Sequence, residues 1–338
     1  MAEPGYIDVH HHMLTPGVIE ALTEHGVCAV GGEPLPSWSP EISLAVMDSA
    51  GIGRAVLSTP IPLHFLDSGA AAAMARELNR YGAGLEHRWP DRFGYFATLP
   101  LPDVAAAVDE AVRALDEDGA SGVLMLSNHA GLYQGDTMLD PLYEELNSRR
   151  AVVFVHPAEP GAGNPLPQIQ TSQLEFGFDA TRAVANLLIN GVPQRFPAIR
   201  FVLTHSGSCV SSVAHKLINR KPMVAAYTAY VREHGTPPPV DELLDQLSAA
   251  ENAARQQIAG LYFDTALSTA ARVLDALAAL VPTSHILLGT DFPFGQEIGL
   301  RYTLRGIERY RGFDDDDRAA ILRTNARDLL AHGTPATP

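Results

Sequence analysis

Eight short runs rich in β-branched and aromatic residues recur along the chain, separated by longer segments of amphipathic or mixed character. They are YIDVH (6–10), RAVLS (54–58), FGYFA (93–97), GVLML (122–126), VVFVH (152–156), RFVLT (200–204), LYFDT (261–265) and ILLGT (286–290). Strands buried on both faces lose the polar alternation of a half-exposed sheet, so near-continuous apolar runs with helices between them point to a parallel sheet. VAAAVDEAVRALDED (104–118) has helical apolar spacing, and DPLYEELNSRR (140–150) opens on an aspartate suited to an N-cap. Eight such alternations within 338 residues predict an α/β chain folded as one (β/α)8 TIM barrel domain, its core spanning about 5–331. An open doubly wound sheet is the alternative, but no glycine-rich phosphate loop follows the first strand.

Two stretches exceed a minimal barrel. Residues 13–41, with GGEPLPSWSPE, read as a loop or small insertion over the mouth, and residues 206–260 as extra helices after the sixth strand. The acidic run at 314–317 precedes a helical pattern, where negative charge complements the helix dipole.

In a barrel of this kind the chemistry gathers at the carboxyl ends of the strands. The first strand runs into IDVHHHML (7–14), where strand alternation puts His10 and His12 on one face and His11 on the other. The fifth strand ends in His156, the sixth is followed at once by His205, and the eighth by Asp291. Four imidazoles and one carboxylate thus converge on one rim. Three imidazoles with one carboxylate suit a divalent ion, Zn²⁺ and Mn²⁺ foremost with Fe²⁺ and Co²⁺ also compatible. His205 is a further ligand or an acid–base group beside the ion. His64, after the second strand, and His129, after the fourth, are placed to touch a substrate, whereas His11 reads as structural. Lys216 and Lys221 are the only lysines and neither is on an expected strand. A lysine-bridged pair of metals is therefore not available, and the site should hold one ion.

A formal net charge of −15 disfavours nucleic acid and anionic membrane surfaces as partners. Two cysteines, Cys28 and Cys209, form no disulfide framework. With no basic segment leading into an apolar one at the start, and no run long enough for a membrane span, the expectation is a soluble cytoplasmic protein.

The set IDVHHH, VVFVHP, FVLTHSG, LYFDT and ILLGTDFPF, together with GLYQGDTMLDPLYEEL and DRFGYFATLPLPD, resembles the amidohydrolase superfamily. Within it the chain is similar to the aminocarboxymuconate-semialdehyde decarboxylase group, in the branch of 6-methylsalicylate decarboxylase. The resemblance implies a metal-dependent, non-oxidative decarboxylase of an aromatic or unsaturated acid. It further implies that His10, His12, His156 and Asp291 bind one divalent ion, that His205 is the acid–base residue beside it, that Phe294 lies near the substrate, and that the chain forms a homodimer; in the decarboxylation itself His205 or Asp291 would deliver the proton or activate a water. Two positions depart from the pattern: HSGS stands where HGGG or HAGG is common, and Lys216 stands where some members carry an arginine that grips a substrate carboxylate across the dimer. Lysine keeps the charge but loses the bidentate fork. A hydrolase using the same residues on a lactone or amide is the rival reading.

Overall fold

The computed structural model describes residues 5–160 and 166–331. Each of the eight expected runs is a strand: β1 (Tyr6–His12), β2 (Ile52–Ser58), β3 (Phe93–Thr98), β4 (Gly122–Leu126), β5 (Val152–His156), β6 (Arg200–Leu203), β7 (Tyr262–Asp264) and β8 (Ile286–Leu287). All neighbouring pairs are parallel and follow chain order. The ring closes between β8 and β1 through backbone hydrogen bonds: Val9 N donates to Leu288 O at 2.9 Å, and Asp291 N to His10 O at 2.8 Å. With helices between successive strands, the fold is a (β/α)8 barrel.

Two apolar layers hold it. Inside the barrel, Val9, Val56, Phe96, Leu124, Phe154 and Val202 pack together, with Phe96 and Phe154 stacked at 5.0 Å. Ala326 and Leu329 of the helix Asn325–Ala331 close the amino-terminal end of this interior, and Arg200 at the start of β6 donates to Leu329 O at 2.6 Å. Outside, Met125, Val153, Leu203 and their neighbours meet the surrounding helices. Because the interior is filled from below, only its carboxyl-terminal end is free to hold polar groups.

Capping fixes where the helices begin. Asp67 and Asp103 accept N–H bonds at the starts of Ser68–Arg88 and Val104–Asp116. The acidic run behaves as expected, Asp314 and Asp317 forming a reciprocal capping box. Asp140 is not the N-cap of its helix. Asp136 caps the preceding short turn, Thr137–Leu139, the helix Asp140–Ser148 continues directly from it, and the Asp140 carboxylate pairs with Arg195.

The segment 13–41 is more ordered than a loop. It holds the helix Pro16–Glu24, a hairpin pairing Ala29–Val30 with Glu33–Pro34, and the first residues of the helix Pro40–Ala50. The stretch after β6 carries the expected additional helices, among them Lys221–His234 and Val240–Ala259. Lys216 is exposed in a short turn and Lys221 opens a helix, so neither lies on a strand. Among the described residues, no helix is long and apolar enough to cross a membrane.

Candidate metal centre and active site

β1 delivers two imidazoles to the rim. His10 Nε2 and His12 Nε2 lie 3.0 Å apart, while His11 turns away to Asp8 Oδ2 (3.0 Å) and Ser43 Oγ (2.9 Å). The sequence alternation thus separates two site residues from a structural one. Asp291 Oδ1 lies 3.0 Å from His12 Nε2 and 3.4 Å from His10 Nε2. His156 completes the group: one ligand atom from each of His10, His12, His156 and Asp291 falls within 4.8 Å of the others, all four residues being buried.

The imidazoles are oriented from behind. His10 Nδ1 faces Asp264 Oδ2 at 2.8 Å, His12 Nδ1 faces Ser58 Oγ at 3.0 Å, and His156 Nδ1 donates to Pro157 O at 2.7 Å. With Nδ1 occupied in each ring, Nε2 is the atom left for the shared point, as in metal-binding histidines whose far nitrogen is tied down. Asp8 makes a second brace, accepting from His10 N (3.1 Å) and Thr290 Oγ1 (2.6 Å), which ties β1 to the segment carrying Asp291. Gly289 is required here for space: a Cβ on it would stand 2.8 Å from His10 Cβ and 2.9 Å from Asp264 Cγ.

His205 follows β6 with φ of 52° and Asp291 follows β8 with φ of 61°, both in the left-handed region that non-glycine residues seldom occupy. Such backbone is held by its surroundings and concentrates at functional sites. For His205 the hold is specific: its N–H donates to Asp264 Oδ1 at 2.9 Å and its ring Nδ1 to Ala266 O at 3.0 Å. Its ring centroid is 5.0 Å from that of His10 and 5.9 Å from that of His156.

The electrostatics favour a cation at this point. Burial, together with the charges of His12, His10 and His205, holds His156 well below the ordinary imidazole value. Burial also lowers His12 to about 4 against the opposing bond to Asp291. His10 is equally buried, but Asp264 and Asp291 outweigh that and push it up to about 10. Burial would raise the Asp291 carboxyl, yet hydrogen bonds to His10 and His12 keep it well below the carboxylate range. Two carboxyl groups, Asp264 and Asp291, face this one buried imidazole and favour positive charge there, which a proton on His10 or a metal ion can supply.

A cavity of about 710 Å³ opens above the group, with His156, His205, Asp291 and Phe294 in its wall. The Phe294 ring stands 5.6 Å from that of His12. Val30 and Glu33 bring the inserted hairpin into the same wall. His64 is not brought in: it is exposed on the turn Leu63–Phe65 and does not line the cavity. His129 is buried, and its Nε2 accepts the Leu126 N–H at 3.1 Å, a structural bond rather than a place for substrate. The strand-end pattern does not mark Asp264 as a site residue, although the end of LYFDT is the same kind of position.

The amidohydrolase family model, Amidohydro_2, matches residues 7–331. A decarboxylase of Aspergillus niger, yanB, is 32% identical over 347 residues, covering 96% of this chain and 87% of that protein. The 6-methylsalicylic acid decarboxylase acuB of Aspergillus aculeatus is 31% identical over 338 residues, covering 96% of this chain and 95% of that one. Among solved structures, one described as an amidohydrolase II superposes with a TM-score of 0.83 at 28% identity, covering 96% of this chain and 99% of the other. With strand order, rim histidines and family match in agreement, the chain belongs to the amidohydrolase family, among the carboxy-lyases of that superfamily.

Proposed function

We propose that the protein is a divalent-metal-dependent, non-oxidative decarboxylase of an aromatic acid carrying a hydroxyl next to the carboxylate, of the 6-methylsalicylate type. The observation that supports it most is the convergence of His10, His12, His156 and Asp291 at the foot of a largely apolar cavity, each imidazole with its far nitrogen already engaged. Held by these four residues, Zn²⁺ or Mn²⁺ would supply Lewis acidity that neutralises and orients the carboxylate and the adjacent oxygen.

The rest of the chemistry falls to the chain. Loss of CO₂ leaves the bonding pair on the ring carbon, which must take up one proton. Asp291 stays an ionised acceptor, so the donor in this arrangement is His205 carrying a proton on both ring nitrogens: Nδ1–H is tied to Ala266 O, Nε2–H remains for the ring carbon, and the proton given up is regained from water. Phe294 offers an apolar face to the substrate ring. Lys216 is exposed and outside the cavity wall of its own chain, so a grip on a substrate carboxylate would require the expected homodimer.

An unbuffered assay with a pH indicator, run on substituted salicylates and on lactones, tests the reading. Decarboxylation of a carboxylate consumes a proton and releases CO₂, giving alkalinisation in step with gas. Acidification with lactones, and none of these changes with salicylates, would replace the decarboxylase with a hydrolase.

A further inference from the structure

The cavity is larger than one substituted ring and has an uneven wall. At about 710 Å³ it lies in the range of roughly 300–1,000 Å³ that encloses drug-sized ligands. Beyond the metal-site residues its polar lining is neutral, with Ser172, Gln173, Ser208 and Gln296, except for Glu33. No lysine or arginine lines it among the described residues. Leu174, Phe176, Phe178, Leu267 and Ile298 make the outer part apolar, and Phe178, Leu267 and Ile298 are 44%, 38% and 77% exposed. Large apolar side chains held in water around a concave mouth gain by being covered.

The wall that carries Glu33 is built rather than draped. Ser172 N donates to Gly31 O at 2.9 Å, and Gln170 Nε2 to Gly32 O at 3.2 Å. Gly31 and Gly32 take φ of 62° and 81°, and a Cβ on Gly31 would meet Phe176 Cζ at 2.8 Å. The hairpin turn is therefore seated against the Phe176 side of the cavity, which fixes Val30 and Glu33 at the mouth.

We propose that this cavity selects hydroxyarene monocarboxylates bearing an uncharged apolar substituent longer than a methyl group, and that Glu33, with no lysine or arginine among the described residues of the outer wall to offset it, excludes aromatic diacids. This rests on the decarboxylase reading and names its substrate class. One carboxylate can be neutralised at the metal site. A second, placed in the outer cavity, would be desolvated beside Glu33 with no counter-charge.

The test uses the metal-loaded enzyme and 6-methyl-, 6-propyl- and 6-pentylsalicylate, with 2-hydroxyterephthalate as the diacid. Both kcat/KM for CO₂ release and the equilibrium dissociation constant of each acid are measured. Both are expected to improve from methyl to pentyl by up to about fourfold per methylene, with F176A reducing the gain. The diacid should bind at least tenfold more weakly than 6-methylsalicylate, and E33Q should narrow that gap. Binding and turnover that worsen with chain length would overturn the inference while leaving the decarboxylase intact. Efficient turnover of the diacid would also overturn it, and its loss in K216A would assign the second anion to Lys216. If the series binds as expected but no acid loses CO₂, the decarboxylase reading fails and the selection by chain length and charge remains.

Discussion

Asp264 Oδ2 lies 2.8 Å from His10 Nδ1, and the other oxygen of the same carboxylate accepts the His205 N–H at 2.9 Å. One buried side chain therefore orients a proposed metal ligand and holds the backbone of the proposed acid. Asp264→Asn keeps the size but weakens the bond to His10, so metal affinity should fall about 10–100-fold. Elemental analysis after dialysis against a series of free-metal concentrations checks this. Unchanged metal retention would show that Asp264 is not an orienting residue.

His205 is half-buried beside the cluster without being one of its four ligands. Replacing it by asparagine should leave the metal content at the wild-type level and lower kcat by about 10²–10⁴-fold, the range of a lost general acid. Metal content and single-turnover CO₂ release on the same preparation separate the two effects. Loss of metal together with activity would make His205 a ligand instead.

His129 is buried as a neutral ring that accepts the Leu126 N–H, and burial, with His64 nearby, lowers it from 6.5 to about 3. Between these two values the unfolded chain binds a proton that the folded chain does not, so stability falls as pH drops from 6.5 towards 3. From pH 6.5 to pH 5 this one ring should cost about 2 kcal/mol. Urea unfolding of the metal-saturated protein at the two pH values measures it, and His129→Gln, which keeps an acceptor without titrating, should flatten the slope by that amount. An equal slope in both proteins would contradict the assignment.

Glu110 is almost fully buried between helices, accepting from Asn79 Nδ2 at 2.7 Å and Arg113 Nε at 3.1 Å. Asn79 in turn accepts the Thr98 N–H at 2.8 Å, so the network joins β3 to two of its covering helices. Glu110→Ala removes charge-assisted bonds and should cost about 2–3 kcal/mol. Denaturant melts would show it as a lowered midpoint with unchanged activity per folded molecule.

The barrel was legible because each strand is buried on both faces, which leaves an apolar run that no surface element would carry. The rim was legible because a histidine or aspartate just beyond such a run stands out, as at His156 and Asp291. What escaped is of two kinds. Asp264 and Ser58 act by touching residues far away in sequence, 254 positions for the Asp264–His10 pair, and nothing local marks that contact. Asp140 has the right residue type for a cap, but Asp136 four residues earlier starts the turn first. The loop position of His129 suggests a contact with substrate, whereas the hairpin Asn128–His129/Leu132–Tyr133 folds its ring back onto Leu126 N. The stretch 13–41, read as a loop or small insertion over the mouth, is that insertion: Pro16 and Pro40 open helices there, and Gly31–Gly32 make a hairpin turn that brings Val30 and Glu33 into the cavity wall.

The central claim is that His10, His12, His156 and Asp291 together hold one divalent ion on which decarboxylation depends. Titrating metal-stripped protein with Mn²⁺ or Zn²⁺, while following CO₂ release from 6-methylsalicylate, tests it most directly. Activity should rise linearly and stop at one ion per chain, and His12→Ala and Asp291→Ala should neither bind the ion tightly nor release CO₂. Saturation at two ions per chain, or full activity in the stripped protein, would contradict it.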